Sequence, residues 1–260
     1  MFYSSIEYGH SLTPDGSAMS TTDSVSDTPV RQLVNELELL KELVPLQSAR
    51  VIELGCGNAR LARDLLQAYP DSQLVGLEVD RIQHAANLAA PAERLTFVEA
   101  SAHQIPFADA SFDLVIMLKS LHHVPLERME QALAEIGRVL RPGGYWYVSE
   151  PVYDGALNEL VRLFNDEGEV RAAAQALLDR AASSGGWERV QDVYFDVPVS
   201  YRDFANFENR MVNVTYAERR FDAAIRDQLQ ALFAAQQGPD GAQFVRPMHV
   251  TLLRRLPEAA

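Results

Sequence analysis

The ten residues from Val51 to Arg60 constrain the fold of this chain more than any other segment. Apolar residues of strand character run into a turn that contains Gly55 and Gly57, and the helical spacing of residues 61–66 follows at once. Because glycine has no Cβ, both glycines can adopt positive φ and let a ligand approach the main chain. The first N–H groups of the following helix point at the same place. The segment therefore predicts a strand–turn–helix unit whose turn binds a molecule with a ribose or an acidic group.

The same alternation of strand and helix continues through the first 150 residues. Strands are predicted at 50–54, 73–78, 95–99, 112–118 and 145–149, and helices at 58–69, 81–89 and 126–140. Alternating strands and helices fold as a parallel sheet that is covered by helices on both faces. The sequence thus predicts an α/β fold.

The remaining segments complete one domain. Residues 1–28 are rich in Ser, Thr and Asp without an apolar period, and we expect a mobile N-terminal arm. Residues 29–260 are predicted to form a single domain, in which region 151–215 is the expected substrate cap. The other predicted elements are a helix from Pro29 that Pro45 ends, helices within 155–182, 201–212 and 217–237, and strands at 191–199 and 244–253.

Composition and charge argue against several function classes. The chain has 260 residues, a formal net charge of −13 and a pI near 4.9, so it lacks the basic character typical of nucleic-acid-binding proteins. A single cysteine, Cys56, excludes an internal disulfide framework and a cysteine zinc cluster. Neither a signal peptide nor an apolar run of bilayer length is visible. We expect a cytoplasmic protein without nucleic-acid or membrane partners, and a homodimer stays open.

An acidic residue ends the second predicted strand. Glu78 is the better candidate for binding ribose hydroxyls, because Asp80 begins the next helix and is a candidate N-cap. A Gly-x-Gly turn with a downstream acid also fits a nicotinamide cofactor. A dinucleotide turn, however, needs a small residue three positions after its second glycine, and Arg60 occupies that position. A dinucleotide is therefore disfavoured.

Five segments in order resemble the class I S-adenosylmethionine-dependent methyltransferases, of the small-molecule, type 11-like group. They are Glu53–Asn58, Gly76–Glu78, Ile105–Val115, Leu121–His123 and Glu135–Gly144. The resemblance covers about residues 50–150. It implies a Rossmann-like seven-stranded methyltransferase sheet with helices on both faces and a helical cap insertion after strand five. It also implies S-adenosyl-L-methionine as cofactor and S-adenosyl-L-homocysteine as product.

The resemblance further implies roles for the residues of the glycine turn. Gly55, Cys56 and Gly57 would pass under the methionine part of the cofactor, and Glu53 would orient its amino group. We interpret Cys56 as a small turn residue and not as a nucleophile, since methyl transfer to an acceptor needs no enzyme thiolate.

Later strand ends would hold the rest of the cofactor. The resemblance implies that Glu78 holds the ribose hydroxyls, that Val79 packs on the adenine and that Leu118 lines the pocket near the sulfonium. Where the family often has an acid that contacts the adenine amine, this chain has Ser101, followed by Ala102. The Ser101 hydroxyl or the Ala102 N–H would then take that role.

Two adjacent histidines follow the fourth predicted strand. A neutral imidazole of His122 or His123 suits a general base for an oxygen, nitrogen or acidic carbon acceptor. The alternative is that the pair packs a loop or caps the next helix. We expect no metal site, because no acid cluster with ligand spacing accompanies the histidines in the sequence.

The substrate signals are weaker. Lys119 follows strand four, and Tyr201 and Arg210 belong to an aromatic-polar segment in which Arg202 or Arg210 would meet an acidic substrate group. The predicted function is methyl transfer from S-adenosylmethionine to a small-molecule acceptor by in-line displacement, with the acceptor atom open between oxygen, nitrogen and carbon. The alternatives are a non-catalytic S-adenosylmethionine-binding sensor or scaffold and, less favoured, a nicotinamide-dependent oxidoreductase.

Overall fold

One mixed β-sheet organises the protein, whose computed structural model describes residues 31–214 and 222–257. The strands in these residues are β1 (Arg31–Gln32), β2 (Arg50–Leu54), β3 (Gln73–Glu78), β4 (Leu95–Glu99), β5 (Phe112–Leu118), β6 (Leu140–Pro151), β7 (Trp187–Tyr201), β8 (Gln237–Gly238) and β9 (Gly241–Arg255). They lie in the order β1-β7-β9-β6-β5-β2-β3-β4, and β8 pairs with β9. The α/β prediction is confirmed.

Strand direction determines where a ligand can bind. Strands β2 to β6 pair in parallel, and β9 runs antiparallel between β6 and β7. The carboxyl ends of β2 to β6 therefore meet at one edge of the sheet, which is where open α/β sheets bind their ligands. The predicted sheet of seven strands corresponds to the seven longer strands. The two-residue strands β1 and β8 bring the total among the described residues to nine.

Helices cover both faces of the sheet, as predicted. They are α1 (Leu37–Leu43), α2 (Arg60–Ala68), α3 (Arg81–Leu88), α4 (Met129–Val139), α5 (Ala156–Val161), α6 (Gly168–Ser183), α7 (Phe204–Phe207) and α8 (Ala223–Ala234). Successive strand residues alternate between two cores: Val51 packs in one with Leu40 and Leu65, and Ile52 packs in the other with Ile136 and Leu177. Because both strand faces are buried, the central strands read as continuous apolar runs.

A third apolar cluster lies beside the sheet. It joins α5, α7 and α8 to the ends of β7 and β9 through aromatic side chains that include Tyr201, Phe207, Phe233 and Phe244. The region after β6 is thus held to the sheet by its own core.

The first described helix begins later than the sequence predicts. Arg31 and Gln32 pair with β7, and α1 begins at Leu37, whose N–H is bound by the side chain of Asn35 at 3.0 Å. Pro45 follows α1, as expected. The arm predicted at 1–28 lies outside the described residues.

Region 151–215 is only partly the helical cap that we predicted. α5 and α6 lie in it, but β7 is a full strand of the sheet and pairs with β9 along its length. The strand predicted at 191–199 is therefore longer than expected. Its apolar alternation is imperfect because its register against β9 shifts between Arg189 and Gln191.

The aromatic segment after β7 is not one helix. The predicted helix at 201–212 is divided, because Tyr201 ends β7, α7 is a single turn and Glu208–Val212 is π-helical. Asp203 sets the start of α7 by accepting the N–H of Asn206 at 2.7 Å. Of the helix predicted at 217–237, the described part is α8.

Candidate active site

The glycine turn connects β2 to α2 at the ligand edge of the sheet. The N–H groups of Gly55 and Cys56 both donate to the Leu77 carbonyl at 2.9 Å, so the turn is attached to the end of β3. Gly55 has a φ of +73°, and a Cβ there would lie 2.8 Å from the Cβ of Ser120. Gly57 also has positive φ, with nothing within 4 Å of where its Cβ would be. Only glycine at position 55 allows this close approach, and the space beside Gly57 is open to a ligand.

Glu78 attaches the same turn to the beginning of α3. Its carboxylate accepts the N–H groups of Gly57 at 2.7 Å and of Val79 and Asp80 at 2.9 Å each. Asp80 is the N-cap of α3, because its side chain accepts the N–H groups of residues 82 and 83. Val79 is exposed, and its side chain is accessible to a ring stacked on it. The predicted ribose and adenine roles of Glu78 and Val79 stay predictions that this placement supports.

Glu53 is a buried acid with one unsatisfied oxygen. Its side chain is 3% exposed, and its Oε2 atom has no hydrogen-bond partner among the described residues. Burial raises the pKa of Glu53 to about 8, an effect that Lys119 opposes and that Glu36 and Glu78 strengthen. A ligand with a hydrogen-bond donor would satisfy this buried carboxylate oxygen. An ammonium group supplies both the donor and the positive charge that compensates the ionised carboxylate.

Lys119 and Glu36 complete the charged surroundings of Glu53. Lys119 follows β5 with a φ of +54°, and its N–H donates to the Ser149 carbonyl at 2.7 Å. Glu36 precedes α1 and accepts a hydrogen bond from the Tyr147 hydroxyl at 3.1 Å. Burial raises the pKa of Glu36, and Lys119 opposes this. The sequence analysis missed Glu36, because no motif connects it with the glycine turn.

Cys56 has a packing role. A Cβ at Gly76 would lie 2.8 Å from the Cys56 sulfur, and the Asn87 amide donates to the Gly57 carbonyl at 2.7 Å beside it. Burial raises the pKa of the Cys56 thiol. This agrees with the interpretation of Cys56 as a turn residue.

The other predicted cofactor residues lie at the same sheet edge. Leu118 ends β5 and is half-buried against the core. Ser101 and Ala102 follow β4 in a tight turn, in which the Gln104 N–H donates to the Ser101 carbonyl at 3.1 Å. Their adenine role stays a prediction.

The two histidines lie in a single 3₁₀ turn that begins directly after Ser120. His122 is buried, and its Nδ1 atom is hydrogen-bonded to Glu150. The second oxygen of Glu150 accepts the Leu121 N–H at 2.8 Å. Because Glu150 is an acceptor, it selects the tautomer with the proton on Nδ1 and leaves the Nε2 lone pair available. The sequence analysis missed Glu150, although it lies at the carboxyl end of β6.

Glu167 lies next to the histidines, although no acid cluster accompanies them in the sequence. Its Oε2 atom is 3.7 Å from His122 Nε2, and one ligand atom each from His122, His123 and Glu167 lie within 4.8 Å of one another. Arg171 binds the same Glu167 oxygen at 2.6 Å. Glu167 comes 44 positions after His123 in the sequence, so only the fold brings this acid to the histidines. The expectation of no metal itself stays a prediction, with Glu167 already neutralised by Arg171.

A cavity of about 650 Å³, counting its open mouth, lies beside the histidines. The residues that line it come from the end of β5, the end of β6, α5, the start of α6 and β9; those with polar side chains include Lys119, His122, His123, Asp154, Asn158, Asn165, Glu167, Arg171 and Arg246. Lys119 therefore contributes both to this cavity and to the surroundings of Glu53. Most of the other polar residues were missed, because they lie in region 151–215 and in β9, where the sequence shows no motif.

Two predicted substrate residues, Tyr201 and Arg210, are not among the residues that line this cavity. Tyr201 is 1% exposed and belongs to the aromatic cluster beside the sheet. Arg210 stacks on the Tyr201 ring at 4.7 Å and donates to the Ser200 carbonyl at 2.8 Å. Arg202 is exposed and pairs with Asp203. The structure thus gives all three residues packing or surface contacts, and the cavity is lined by others.

Among the described residues, no helix combines the length and the apolarity needed to span a bilayer.

Residues 52–148 match the family model of the methyltransferase domain. These residues of the chain form a methyltransferase domain. This domain contains the glycine turn, Glu78 and the two histidines, and it ends within β6.

Relatives agree with this assignment over the same region. A phthiotriol/phenolphthiotriol dimycocerosates methyltransferase of Mycobacterium ulcerans is 36% identical over 129 residues, which are 48% of this chain and 45% of that protein. A fatty-acid O-methyltransferase of Mycolicibacterium smegmatis is 31% identical over 158 residues, 57% of this chain and 54% of that protein. The chain thus spans about half the length of the curated relatives that it matches.

The fold of the methyltransferase domain is also that of solved structures. The YcgJ protein of Bacillus subtilis aligns with a TM-score of 0.60 at 17% identity, over 85% of this chain and 98% of that protein. At this identity the likeness concerns the fold alone.

The residues of the methyltransferase domain fit S-adenosylmethionine. The unsatisfied Glu53 oxygen fits the amino group, and the close approach of Gly55 with the open space beside Gly57 fits a ligand that passes over the main chain. Glu78 has four lone-pair sites and uses three of them for backbone N–H groups, so it retains one for a hydroxyl.

Proposed function

We propose that the protein transfers the methyl group of S-adenosylmethionine to a hydroxyl oxygen of a small organic acceptor that binds in the cavity beside His122. The observation that carries this proposal is the hydrogen bond of His122 to Glu150 at the edge of that cavity. A neutral hydroxyl is a weak nucleophile that must lose its proton, and a positioned imidazole is the side chain best suited to accept it near neutral pH.

Bound S-adenosylmethionine supplies an electrophilic methyl group on a sulfonium, so the residues of the protein mainly position the acceptor and exclude water. Glu53 would bind the amino group, the turn from Gly55 to Gly57 would pass along the ligand, and Glu78 would bind the ribose. Lys119 lies next to both this region and the cavity, so it marks where the two sites meet.

His122 would accept the acceptor's proton at Nε2. Glu150 holds the proton on Nδ1 and orients the ring, and Glu167 lies 3.7 Å from Nε2. The imidazolium that forms is then flanked by two carboxylates, which stabilise its charge. The His123 ring lies against His122, with 4.1 Å between the ring centroids and the planes tilted by 47°, and helps to hold the His122 ring in place.

The relatives support an oxygen acceptor. One of them is named a fatty-acid O-methyltransferase and matches 57% of this chain. We extend only the class of acceptor atom to this protein.

The test combines binding and transfer. Calorimetry with S-adenosylmethionine, S-adenosylhomocysteine and NAD should show binding of the first two and not of NAD. Incubation with methyl-labelled cofactor and a panel of hydroxylated small molecules should then label some of them, and His122→Asn should abolish labelling while S-adenosylhomocysteine still binds. His84→Asn, on α3 and outside the cavity, is the matched control.

Each alternative has its own outcome in this test. Binding of S-adenosylhomocysteine without transfer to any acceptor would favour a sensor or scaffold. Binding of NAD alone would favour an oxidoreductase. Labelled products that carry the methyl group on nitrogen or carbon would overturn the choice of oxygen.

A further inference from the structure

Arg246 is a cationic residue of the cavity whose side chain has no anionic partner among the described residues. It lies in β9 opposite Val197, and its guanidinium has no hydrogen bond or ion pair to any described residue. Burial lowers the pKa of its guanidinium, with Tyr201 and Glu167 opposing this effect. A guanidinium remains charged in proteins, so a half-buried one without an acceptor is costly unless a ligand provides the acceptor.

The acids near Arg246 are already engaged. The Glu167 oxygen that faces the cavity is bound by Arg171 at 2.6 Å, and Glu150 is bound to His122. Asp154 accepts the N–H of Gly155 at 2.7 Å and is exposed. None of these carboxylates therefore forms an ion pair with the Arg246 guanidinium.

Asn158 provides a second, independent donor in the same cavity. Arg171 donates to the Asn158 Oδ1 atom at 3.1 Å, which orients the amide. The Nδ2 atom of Asn158 is buried and has no acceptor among the described residues. Two donors of different type, on α5 and on β9, thus lack acceptors where they line one cavity.

We propose that Arg246 and Asn158 form a subsite for a carboxylate group of the methyl acceptor. This inference rests on the proposed function, because it specifies the class of acceptor for the same cavity. A carboxylate offers two coplanar oxygens that suit the fork of a guanidinium and leave lone pairs for the amide.

The charges of the cavity favour a monoanion. Its lining contains three cationic side chains, Lys119, Arg171 and Arg246, and two acidic ones, Asp154 and Glu167. With neutral histidines the formal charge of the lining is therefore +1. One carboxylate neutralises this charge, whereas a phosphate dianion would leave the cavity with a net negative charge. The acceptor would then be a small hydroxy acid.

The subsite can be tested by direct binding of simple probes. Benzoate and hexanoate should bind to the protein saturated with S-adenosylhomocysteine at least tenfold more tightly than benzamide and hexanamide, as measured by ligand-observed NMR. Arg246→Met should remove this preference, and Arg246→Lys should retain part of it, because it keeps the charge but loses the fork. Arg202→Met, which removes an exposed arginine outside the cavity, should leave the preference unchanged.

A stability measurement distinguishes a binding role from a structural one. If Arg246 exists to bind a ligand, Arg246→Met should raise the urea midpoint of the ligand-free protein, because a half-buried unpaired cation is replaced by an apolar side chain. A lower midpoint would assign Arg246 a structural role and overturn the proposal. Equal binding of acids and amides, or a preference that persists in Arg246→Met, would also overturn it.

The failure of the subsite is distinguishable from that of the proposed function. If the protein methylates neutral alcohols and Arg246→Met does not change the rate, the proposed function holds and the subsite is rejected. Arg246-dependent carboxylate binding in a protein that transfers no methyl group would keep the subsite and reject the function. Tighter binding of phenyl phosphate than of benzoate would reject the choice of carboxylate.

Discussion

Replacing Glu53 with glutamine should change how the stability of the ligand-free protein depends on pH. Burial raises the pKa of Glu53 to about 8 from an ordinary value of 4.5. Between these values the folded chain holds a proton that the unfolded chain has released, so the free energy of unfolding falls as the pH rises. The loss is at most about 1.4 kcal/mol per pH unit, or about 5 kcal/mol over the whole interval.

Glutamine imitates the neutral carboxylic acid and cannot ionise. We therefore expect the free energy of unfolding of Glu53→Gln to lie within about 1 kcal/mol of the wild type at pH 5 and to exceed it by ~2 to ~4 kcal/mol at pH 8. The measurement is urea unfolding followed by circular dichroism at pH 5, 6, 7 and 8, with the difference between variant and wild type plotted against pH. Glu93→Gln, at a surface acid whose side chain is 90% exposed, should give a flat line. A flat line for Glu53→Gln as well would refute the reasoning.

The same substitution tests the ligand role of Glu53. An ammonium group can pair only with the ionised acid, so the affinity of the wild type for S-adenosylhomocysteine should rise between pH 6 and 8, by up to about tenfold per pH unit. Glu53→Gln should bind more weakly and lose this rise. Calorimetry at each pH measures both effects, and equal slopes would remove Glu53 from the ligand site.

Three further predictions concern the same edge of the sheet. Gly55→Ala should lower the free energy of unfolding in urea by ~1 to ~3 kcal/mol and weaken S-adenosylhomocysteine binding. The control Gly143→Ala, at a positive φ with open space around it, should lower the free energy of unfolding by only about 1 kcal/mol. Equal losses in the two variants would contradict the crowding at Gly55. Glu78→Ala removes the acceptor of three backbone N–H groups and should lower the free energy of unfolding by about 2 kcal/mol and the affinity for S-adenosylhomocysteine at least tenfold, as seen by unfolding and calorimetry. Glu150→Gln should lower the rate of methyl transfer at least ~100-fold without changing S-adenosylhomocysteine affinity. Glutamine offers one acceptor oxygen, whereas Glu150 accepts from both the Leu121 N–H and His122 Nδ1, so one of these two hydrogen bonds is lost. An unchanged rate would show that the orientation of His122 is not needed.

Much of the fold could be predicted from local patterns. The bounds of β3, β4 and β5 agree with the predicted strands, because continuous apolar runs between helices are typical of buried parallel strands. The second half was predicted less well. β7 is largely exposed on one face, and the short aromatic segment after it satisfies neither a strand nor a helix pattern along its whole length.

The site divides in the same way. The glycine turn and Glu78 could be predicted because their contacts are made within one strand–turn–helix unit and its neighbour. Glu36, Glu150, Glu167 and Arg246 could not, because their importance comes from side chains that are distant in the sequence. Conversely, Tyr201 and Arg210 have suitable chemistry but lie in or on an aromatic core.

The sequence by itself predicted a ligand-binding strand–turn–helix unit, since strand period, glycine placement and an acid at a strand end are local properties that one short segment can specify. The type of cofactor followed from the resemblance of five segments to the S-adenosylmethionine-dependent methyltransferases. Only the tertiary structure decided which polar groups are left without partners. Whether Glu53 lacks a donor, or Arg246 an acceptor, depends on every other chain segment that packs around it. Burial makes such unpaired groups energetically costly, and these groups indicate what the protein binds.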